Sequence, residues 1–414
     1  MRVVVIGYVW PEPNSSAAGR NMLNILSALQ AQQWDVNFVC AAADSEHAVS
    51  LPQLGITTHH VAINDPAFDQ LIQQLEPDIA LFDRFMIEEQ FSWRVRKYCP
   101  HTLCILNTED LHALRSARHQ GLKAESETIN LHTDKFYREI ASILRSDLTL
   151  LVSNAEKQFL QQSFAISDEL LCHFPLFPTI QSNTAVPSFE QRSDLAFIGN
   201  FRHEPNWDCV RYLYTDIWPR LSQQLPHAKL RIYGAYPPPK ATQLHSPRKR
   251  FLIEGWARDA QEVLANARVC LAPVRFGAGI KGKFLDAFQA GTPCVTSTVG
   301  SEGLDPTDEW PGAICTDDDA IIAAASTLYN NQERWQMAHT KALSRRVTAT
   351  DLAREQQRLV EYIQQAKQDL AGRRSRNFIG AMLRHHHLAS TQYMGQWIEA
   401  KSALKAAIAA TKDD

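Results

Sequence analysis

The 414-residue sequence predicts an α/β protein built from two doubly wound, parallel-sheet domains. Short β-branched segments alternate with helical segments in two successive series. A polar, proline-containing stretch at residues 182–193 separates the two series and is typical of an interdomain linker. The chain is also too long for one hydrophobic core, because chains beyond about 250–300 residues usually divide into domains.

The first series contains a continuous apolar run at residues 2–6 that ends at Gly7. Such a run predicts a strand buried on both faces, as parallel sheets require. Residues 20–31 follow with helical apolar spacing. The remaining strands of this series are predicted at residues 35–40, 79–82, 102–106 and 148–152, and a further helix begins near Asn154. We assign residues 1–183 to the first domain.

The second series predicts strands at residues 194–198, 229–233, 251–254, 269–272 and 294–297, with helices at 205–225, 260–266 and 283–290. We assign residues 184–345 to this second domain. Residues 346–414 show no strand signal and predict a helical extension whose first part returns to the first domain. Doubly wound sheets bind ligands beyond the carboxyl ends of their strands, so the site is expected in a cleft between two facing domains.

Composition excludes several classes of protein. The formal net charge of −3 gives no reason to expect nucleic acid as a partner. No run of about 18 apolar residues predicts a membrane-spanning helix. The eight cysteines are scattered without a Cys-x-x-Cys pair, which favours reduced core thiols in a cytoplasmic protein and no zinc site.

The end of the chain, residues 373–414, is basic and amphipathic. This pattern favours a pair of packing helices with a solvated face. Peripheral contact with the inner face of a membrane, or with a partner protein, is the alternative. The role of residues 366–414 stays open at this point. Three consecutive histidines, 385–387, predict a solvated turn rather than a metal site.

The most informative segment is the glycine-rich loop that follows the strand at 269–272. It contains Gly279, Lys281 and Lys283 and leads into a helix. Glycines let backbone N–H groups approach a ligand, while the helix N-terminus and the lysines add positive charge, so the loop predicts a diphosphate site. Asp286 lies one helical turn later, and its carboxylate suits the hydroxyl pair of a ribose.

Several segments occur together in an order that resembles a known family. They are residues 107–115, 197–206, 217–219, 226–234 and 275–304. Their order resembles that of the retaining, nucleotide-sugar-dependent glycosyltransferases of family four, the glycosyl transferases group 1, over roughly residues 1–345. The resemblance implies the GT-B architecture, with two facing Rossmann-like domains, an acceptor side in the first domain and a donor side in the second.

The same resemblance implies transfer of a sugar from a nucleoside-diphosphate donor to a hydroxyl acceptor, such as a glycan, a lipid-linked sugar or another small molecule. Relatives retain the anomeric configuration and need neither a metal nor a further cofactor. Such enzymes serve polysaccharide or glycoconjugate biosynthesis.

Carried over by position, the resemblance gives the donor side its residues. Asp286 takes the place of the second acid of the family's Glu-x7-Glu element, which bonds the donor ribose, whereas Ala278 replaces the first acid. Asn200 stands where relatives hold the diphosphate with an arginine, and Pro205-Asn206 stand where they have a lysine. The residues expected to replace the missing charge are Arg202, Arg275, Lys281 and Lys283. Glu302, after the next strand, is expected to reach the sugar.

In the first domain, Gly19 is expected to let the loop at residues 15–20 approach the diphosphate. Asp110 and His112 follow an apolar strand and are candidates for orienting the acceptor hydroxyl or accepting its proton. Other interpretations stay open. Ser15 or Ser16 could cap a helix, Asp110 could do the same, and Trp256 could stack on the nucleobase or belong to the core.

Two other classes of function remain open at this stage. A GT-B sugar-nucleotide epimerase would use the same diphosphate loop with acid and base carboxylates. A non-catalytic sugar-nucleotide-binding partner would fit Ala278 and Asn200, which depart from the family pattern.

Overall fold

The computed structural model describes residues 1–126, 128–180, 186–304 and 309–410. The predicted domain boundary at residues 183 and 184 lies outside these residues. The strands are β1 (Arg2–Gly7), β2 (Asp35–Cys40), β3 (Thr57–His60), β4 (Ile79–Asp83), β5 (Leu103–Asn107), β6 (Leu148–Leu151), β7 (Leu171–His173), β8 (Ser193–Ile198), β9 (Leu230–Tyr233), β10 (Phe251–Gly255), β11 (Ala267–Ala272), β12 (Cys294–Ser297) and β13 (Gly312–Cys315).

The α-helices are α1 (Ala17–Gln30), α2 (Ala67–Leu75), α3 (Phe85–Tyr98), α4 (His112–Lys123), α5 (Asp134–Arg145), α6 (Asn154–Phe164), α7 (Glu204–Tyr212), α8 (Trp218–Gln224), α9 (Pro239–Thr242), α10 (Ala260–Asn266), α11 (Gly282–Gln289), α12 (Thr298–Ser301), α13 (Asp318–Asn330), α14 (Gln332–Ser344), α15 (Ala349–Gln368), α16 (Leu370–Arg376) and α17 (Phe378–Ala410).

The strands form two separate parallel sheets. The first has the order β3-β2-β1-β4-β5-β6-β7, and the second has the order β10-β9-β8-β11-β12-β13. In each sheet the chain order reverses beside the first strand, between β1 and β4 and between β8 and β11. The predicted doubly wound fold is therefore confirmed, and each sheet has a switch point at which a ligand can bind. We call the parts built on the two sheets the first and second domains.

The structure contains features that the hydrophobic pattern did not predict. Three short strands, β3, β7 and β13, extend the sheets at their edges, and β3 has no apolar run. The single helix predicted at residues 205–225 is instead α7, a π-helical segment at Leu213–Ile217, and α8. Pro219 lies in the first turn of α8. Because proline has no N–H to donate to the preceding turn, it interrupts a regular helix there.

The C-terminal helices lie on the first domain. In α15, Leu359, Val360 and Ile363 are buried in the apolar cluster that also contains residues of α1 and β1. Helix α17 packs on α3 and α5. The turn predicted at residues 385–387 is wrong, because these residues lie within α17. Within the described ranges, no helix is both long enough and apolar enough to span a bilayer.

Candidate active site

A cleft of about 1100 Å³ separates the two domains. The loops that follow β1, β4 and β5 line its first wall, and the loops that follow β8 and β11 line the second. Both walls therefore come from the carboxyl ends of strands next to the two switch points, where doubly wound folds bind ligands.

Lys283 is the cation that the structure places best for a diphosphate. It lies in the first turn of α11 on the wall of the cleft, and its Nζ donates to Asn206 Oδ1 over 2.7 Å. Asn206 in turn donates to the backbone oxygen of Asn200 over 3.0 Å. Burial lowers the Lys283 pKa from its usual value. A bound anion would oppose that shift and favour the charged ammonium.

Asn206 packs against Gly199 at the end of β8 and binds Lys283 of α11. A Cβ at Gly199 would lie 2.6 Å from the Asn206 side chain, so the glycine makes room for it. Because Asn206 occupies this space and holds Lys283, the positive charge comes to the end of β8 from α11. The cation is therefore supplied from a different element.

Asp286 is also in the cleft, and it already has a partner. Arg20 of α1 donates to both of its carboxylate oxygens, over 2.7 and 2.8 Å, and the Asp286 side chain is 4% exposed. This bidentate ion pair joins the two domains. Arg20 lies at the end of the segment at residues 15–20, which was expected to approach the diphosphate. No signal in the sequence pairs it with Asp286, a residue 266 positions away.

Gly279 contacts the first domain rather than an open space. Its φ is +62°, and a Cβ there would lie 2.8 Å from the Asp110 Cβ. Its N–H donates to Glu156 Oε1 over 2.8 Å. Ala278, at the position of the family's first acid, is buried in the same apolar cluster as Leu111. This part of the glycine loop therefore holds the domains together.

Lys281 and Glu302 form part of a second interdomain contact. Arg118 of α4 donates to both Glu302 oxygens over 2.6 and 2.7 Å, and also to Gly277 O over 2.8 Å. Lys281 Nζ lies 3.8 Å from Glu302, and burial lowers the Lys281 pKa to about 8. Lys281 lines the cleft as expected. Glu302 does not, because Arg118 holds it outside the cleft wall.

Arg275 lies outside the cleft, contrary to expectation. Its Nε donates to Asp208 Oδ2 over 2.9 Å, and its guanidinium lies over the Tyr212 ring. It lines a separate cavity of about 510 Å³ on the second domain. Arg202 does line the cleft, with its guanidinium carbon 3.5 Å from the centroid of the Tyr236 ring.

Asp110, His112 and Arg115 form a compact group on the first wall. His112 Nε2 lies 3.2 Å from Asp110 Oδ1, and Arg115 donates to Asp110 Oδ2. Burial alone would raise the Asp110 pKa, but Arg115 and His112 outweigh it and hold that pKa well below its usual value. Burial lowers the His112 pKa despite the attraction of Asp110. At neutral pH the pair is therefore an ionised carboxylate and a neutral imidazole.

Asp110 does not cap α4, so that alternative is wrong. Two buried carboxylates from other helices take this role. Glu139 accepts from the N–H groups of His112 and Ala113 over 3.0 and 2.7 Å. Glu156 accepts from Leu111 N–H over 2.9 Å. Burial raises their pKa values to about 8 and about 7. Sequence reasoning missed both residues, since each lies in an unremarkable helical segment.

The loop after β1 is shaped by local contacts. Ser16 caps α1 by accepting from Gly19 N–H over 3.0 Å, which confirms the capping alternative for this serine. A Cβ at Gly19 would lie 2.5 Å from the Glu12 backbone, so the glycine permits a close turn within the loop. Trp256 is 40% exposed and stacks on His47 of the first domain, 4.6 Å between ring centroids, so it is not a core residue.

No group of three or more histidine, cysteine, aspartate or glutamate residues is arranged to hold a metal ion in the described ranges. All eight cysteines are free thiols.

Comparison with known proteins connects this cleft to a family. A family model described as glycosyl transferases group 1 matches residues 192–331. This range includes the residues of the second cleft wall, among them Asn200, Asn206, Lys283 and Asp286. The matched range lies within the second domain. The match makes the chain an enzyme of the glycosyltransferase class, and it does not favour the epimerase or the non-catalytic alternative. No curated protein matches the chain.

Solved structures share the fold over nearly the whole chain. Sucrose-phosphate synthase from Thermosynechococcus elongatus has a TM-score of 0.62 at 12% identity, and the alignment covers 88% of this chain and 99% of the synthase chain. HepE from Anabaena, in complex with UDP and glucose, has a TM-score of 0.65 at 11% identity, and the alignment covers 88% of this chain and 100% of the HepE chain. WaaG, a glycosyltransferase involved in lipopolysaccharide biosynthesis, has a TM-score of 0.61 at 14% identity, covering 86% and 98%. These likenesses show the GT-B fold.

Proposed function

We propose that this glycosyltransferase is of the retaining, family four type and moves a sugar from a nucleoside-diphosphate donor to a hydroxyl acceptor without a metal. The observation that carries the proposal is Lys283, held by Asn206 in the first turn of α11, in a cleft between two GT-B domains. HepE, a protein of the same fold, is described with UDP and glucose, and this supports a nucleotide-sugar donor.

On the donor side, the diphosphate lies between Lys283 and the end of β8. The N-cap residue, Lys281, makes no capping hydrogen bond with its side chain, and in the proposed complex the first N–H groups of α11 donate to phosphate oxygens. These groups stabilise the negative charge that develops on the departing nucleoside diphosphate. Each Asp286 oxygen has two lone pairs, so an oxygen bonded to Arg20 can also accept from a ribose hydroxyl.

On the acceptor side, Asp110 fixes the neutral His112 ring. When His112 Nε2–H donates to Asp110, Nδ1 is left as an acceptor for a second hydroxyl of the acceptor, which orients the reacting hydroxyl. A bond then forms between the acceptor oxygen and the anomeric carbon as the bond to the phosphate oxygen breaks. The proton of the hydroxyl passes to that phosphate oxygen on the same face, which gives retention.

The test is a thermal-shift screen with UDP-, GDP-, ADP- and dTDP-sugars. We expect one donor to raise the Tm of the wild type, and Lys283→Ala to lose most of that shift because it removes the cation. Arg275→Gln is the matched control, since the sequence placed Arg275 in the site and the structure does not. An equal ligand-induced shift in wild type and Lys283→Ala would overturn the donor assignment.

Stereochemistry and metal use need separate measurements. We expect the anomeric proton of the product to show the configuration of the donor by NMR. We also expect transfer to continue in excess EDTA. An inverted product, or activity that EDTA abolishes and Mg²⁺ restores, would contradict these parts of the proposal.

Helix α17 supports peripheral contact with the cytoplasmic face of a membrane. Tyr393, Trp397, Leu404 and Ile408 recur at helical spacing and are 67%, 57%, 61% and 48% exposed. Lys401 and Lys405 flank them, as in helices that lie in an anionic lipid surface. The domain-facing side of the helix contains Gly395 near Trp93 and Glu399 paired with Arg94.

Co-sedimentation with anionic phospholipid vesicles tests this contact. We expect the wild type to sediment and Trp397→Ser to stay in the supernatant, while Met337→Ser, an exposed apolar residue of the second domain, behaves as wild type. Equal sedimentation of all three proteins would contradict the membrane proposal.

A further inference from the structure

Two non-glycine residues with positive φ lie side by side on the first wall of the cleft. Arg84 follows β4 with φ 76° and ψ 156°, and Glu109 follows β5 with φ 60°. The two strands pair with Asp83 beside Asn107, and Arg84 N–H donates to Asn107 O over 2.7 Å. Residues other than glycine rarely adopt these conformations, and they persist where the surrounding structure enforces them at functional sites.

The Arg84 guanidinium has no anionic partner in the described part of the chain. It lies 4.6 Å from the centroid of the Tyr8 ring, and its buried Nε has no hydrogen-bond partner. The other two arginines on this wall differ, because Arg20 pairs with Asp286 and Arg115 pairs with Asp110. A guanidinium that lines a cleft and is not paired with a carboxylate can bind an anion from outside the protein.

The Glu109 carboxyl beside Arg84 contributes little negative charge. Its oxygens accept from Asn107 Nδ2 over 2.8 Å and from Asn21 Nδ2 over 3.2 Å. Burial and the charge of Asp83 raise the Glu109 pKa to about 8, against the opposing effect of Arg84. Glu109 therefore holds its proton at neutral pH and repels an anion less than an ionised carboxylate would.

Helix α3 adds a second favourable element. It begins at Phe85, immediately after Arg84, and the Arg84 side chain makes no capping hydrogen bond. Met86, in its first turn, lines the cleft. The first turn of a 14-residue helix carries partial positive charge, which adds to the full charge of Arg84.

We propose that Arg84 and the first turn of α3 form an anion-binding subsite for the acceptor, so that the acceptor is a hydroxyl compound that carries a carboxylate or a phosphate. This inference rests on the proposed transferase function and names the class of its second substrate. Arg84 positions the acceptor beside Asp110 and His112, and the group that it binds does not react.

The experiment compares acceptors that differ only in the anionic group. Wild type, Arg84→Gln and Arg84→Gly are loaded with the donor that responds in the thermal-shift screen. Each is then offered glucose, glucuronate and glucose 6-phosphate, with inorganic phosphate as a competitor. Ligand-observed NMR measures binding, and release of nucleoside diphosphate measures turnover. Arg248→Gln, an exposed arginine of the second domain, is the control.

We expect the wild type to prefer one anionic sugar over glucose by about tenfold or more, since charged hydrogen bonds commonly contribute that much. The preferred sugar distinguishes carboxylate from phosphate. Both Arg84 variants should lose the preference, and inorganic phosphate should compete only in wild type and Arg248→Gln. Because glycine adopts the Arg84 conformation without strain, Arg84→Gly should also show an unchanged or higher Tm.

Three results would overturn the inference: a wild type that takes glucose as well as the anionic sugars, an Arg84→Gln variant that keeps the preference, or phosphate competition that survives both substitutions. Donor binding is measured separately in the same samples. A wild type that binds no donor contradicts the proposed function, whereas normal donor binding without an anionic preference contradicts the subsite alone.

Discussion

Several side chains in this cleft have hydrogen-bond partners from distant parts of the chain. Asp286 has the position expected of a ribose-binding acid, yet its immediate partner is Arg20 from the other domain. Lys283 was expected to supply part of the charge that relatives place after the strand equivalent to β8, and Asn206 holds its ammonium group over 2.7 Å.

The raised pKa of Glu109 gives a prediction at the residue scale. Because its folded-state pKa is about 8 and thus above its unfolded value, the folded protein keeps this proton to higher pH than the unfolded chain does. Its contribution to the free energy of unfolding is therefore complete below about pH 4.5 and falls as pH rises towards 8. Glu139 and Glu156 act in the same direction.

We expect Glu109→Gln to make that decline shallower, by at most ~1.4 kcal/mol per pH unit, the value for one proton. Urea unfolding at pH 5.5 and pH 7.5 measures the slope in each protein. Glu190→Gln, a fully exposed carboxylate, is the control. An unchanged slope in Glu109→Gln would show that Glu109 titrates normally.

At the scale of elements, the glycine loop before α11 has two different tasks. Its last residues lead into the start of the helix, which faces the cleft. Its middle contacts the start of α4, where Glu156 accepts from both Leu111 N–H and Gly279 N–H. One buried carboxylate therefore links a helix of the first domain to the donor loop of the second.

Gly279→Ala tests the second task. The substitution requires φ of +62° in a residue with a Cβ, and that Cβ would lie 2.8 Å from Asp110. We expect a loss of about 1–3 kcal/mol in the free energy of unfolding and weaker donor binding. Gly277→Ala is the matched control, because its Cβ would meet Lys281 at an ordinary 3.5 Å. Equal stability of the two variants would contradict this account of the loop.

At the scale of the whole molecule, ion pairs and hydrogen bonds hold the two domains together around the cleft. They include the Arg20–Asp286 and Arg118–Glu302 ion pairs and the Gly279–Glu156 and Tyr236–Glu12 hydrogen bonds. Each contact joins residues of different domains, so its geometry depends on the relative position of the domains. Breaking one ion pair should therefore change the relative position of the domains more than the packing of either hydrophobic core.

We expect Arg118→Gln to widen the cleft, because it leaves Glu302 and Gly277 without their partner. Small-angle X-ray scattering should show a larger radius of gyration than in wild type, and saturating donor should reduce the difference. Arg138→Gln, which breaks an ion pair within the first domain, is the control. An identical radius of gyration in all proteins would show that this pair does not hold the domains.

The sequence by itself determined the fold class, since alternating β-branched and helical segments in two series require parallel sheets whatever their surroundings. It also predicted a diphosphate site in the loop before α11, because glycines, lysines and a helix start are adjacent in the chain. The edge strand β3 was missed because residues such as Thr57 and His60 carry no apolar pattern, and β7 and β13 were missed because they are only three and four residues long.

Only the tertiary structure decided which charges face the cleft. Arg275 and Glu302 had the right chemistry and the right neighbours in sequence, but Asp208 and Arg118 hold them elsewhere. Arg84 had no signal in the sequence, and its backbone conformation and its lack of an anionic partner among the described residues are visible only when β4, β5 and Tyr8 are assembled. Local pattern specifies elements, whereas the partner of a long charged side chain depends on which elements meet in space.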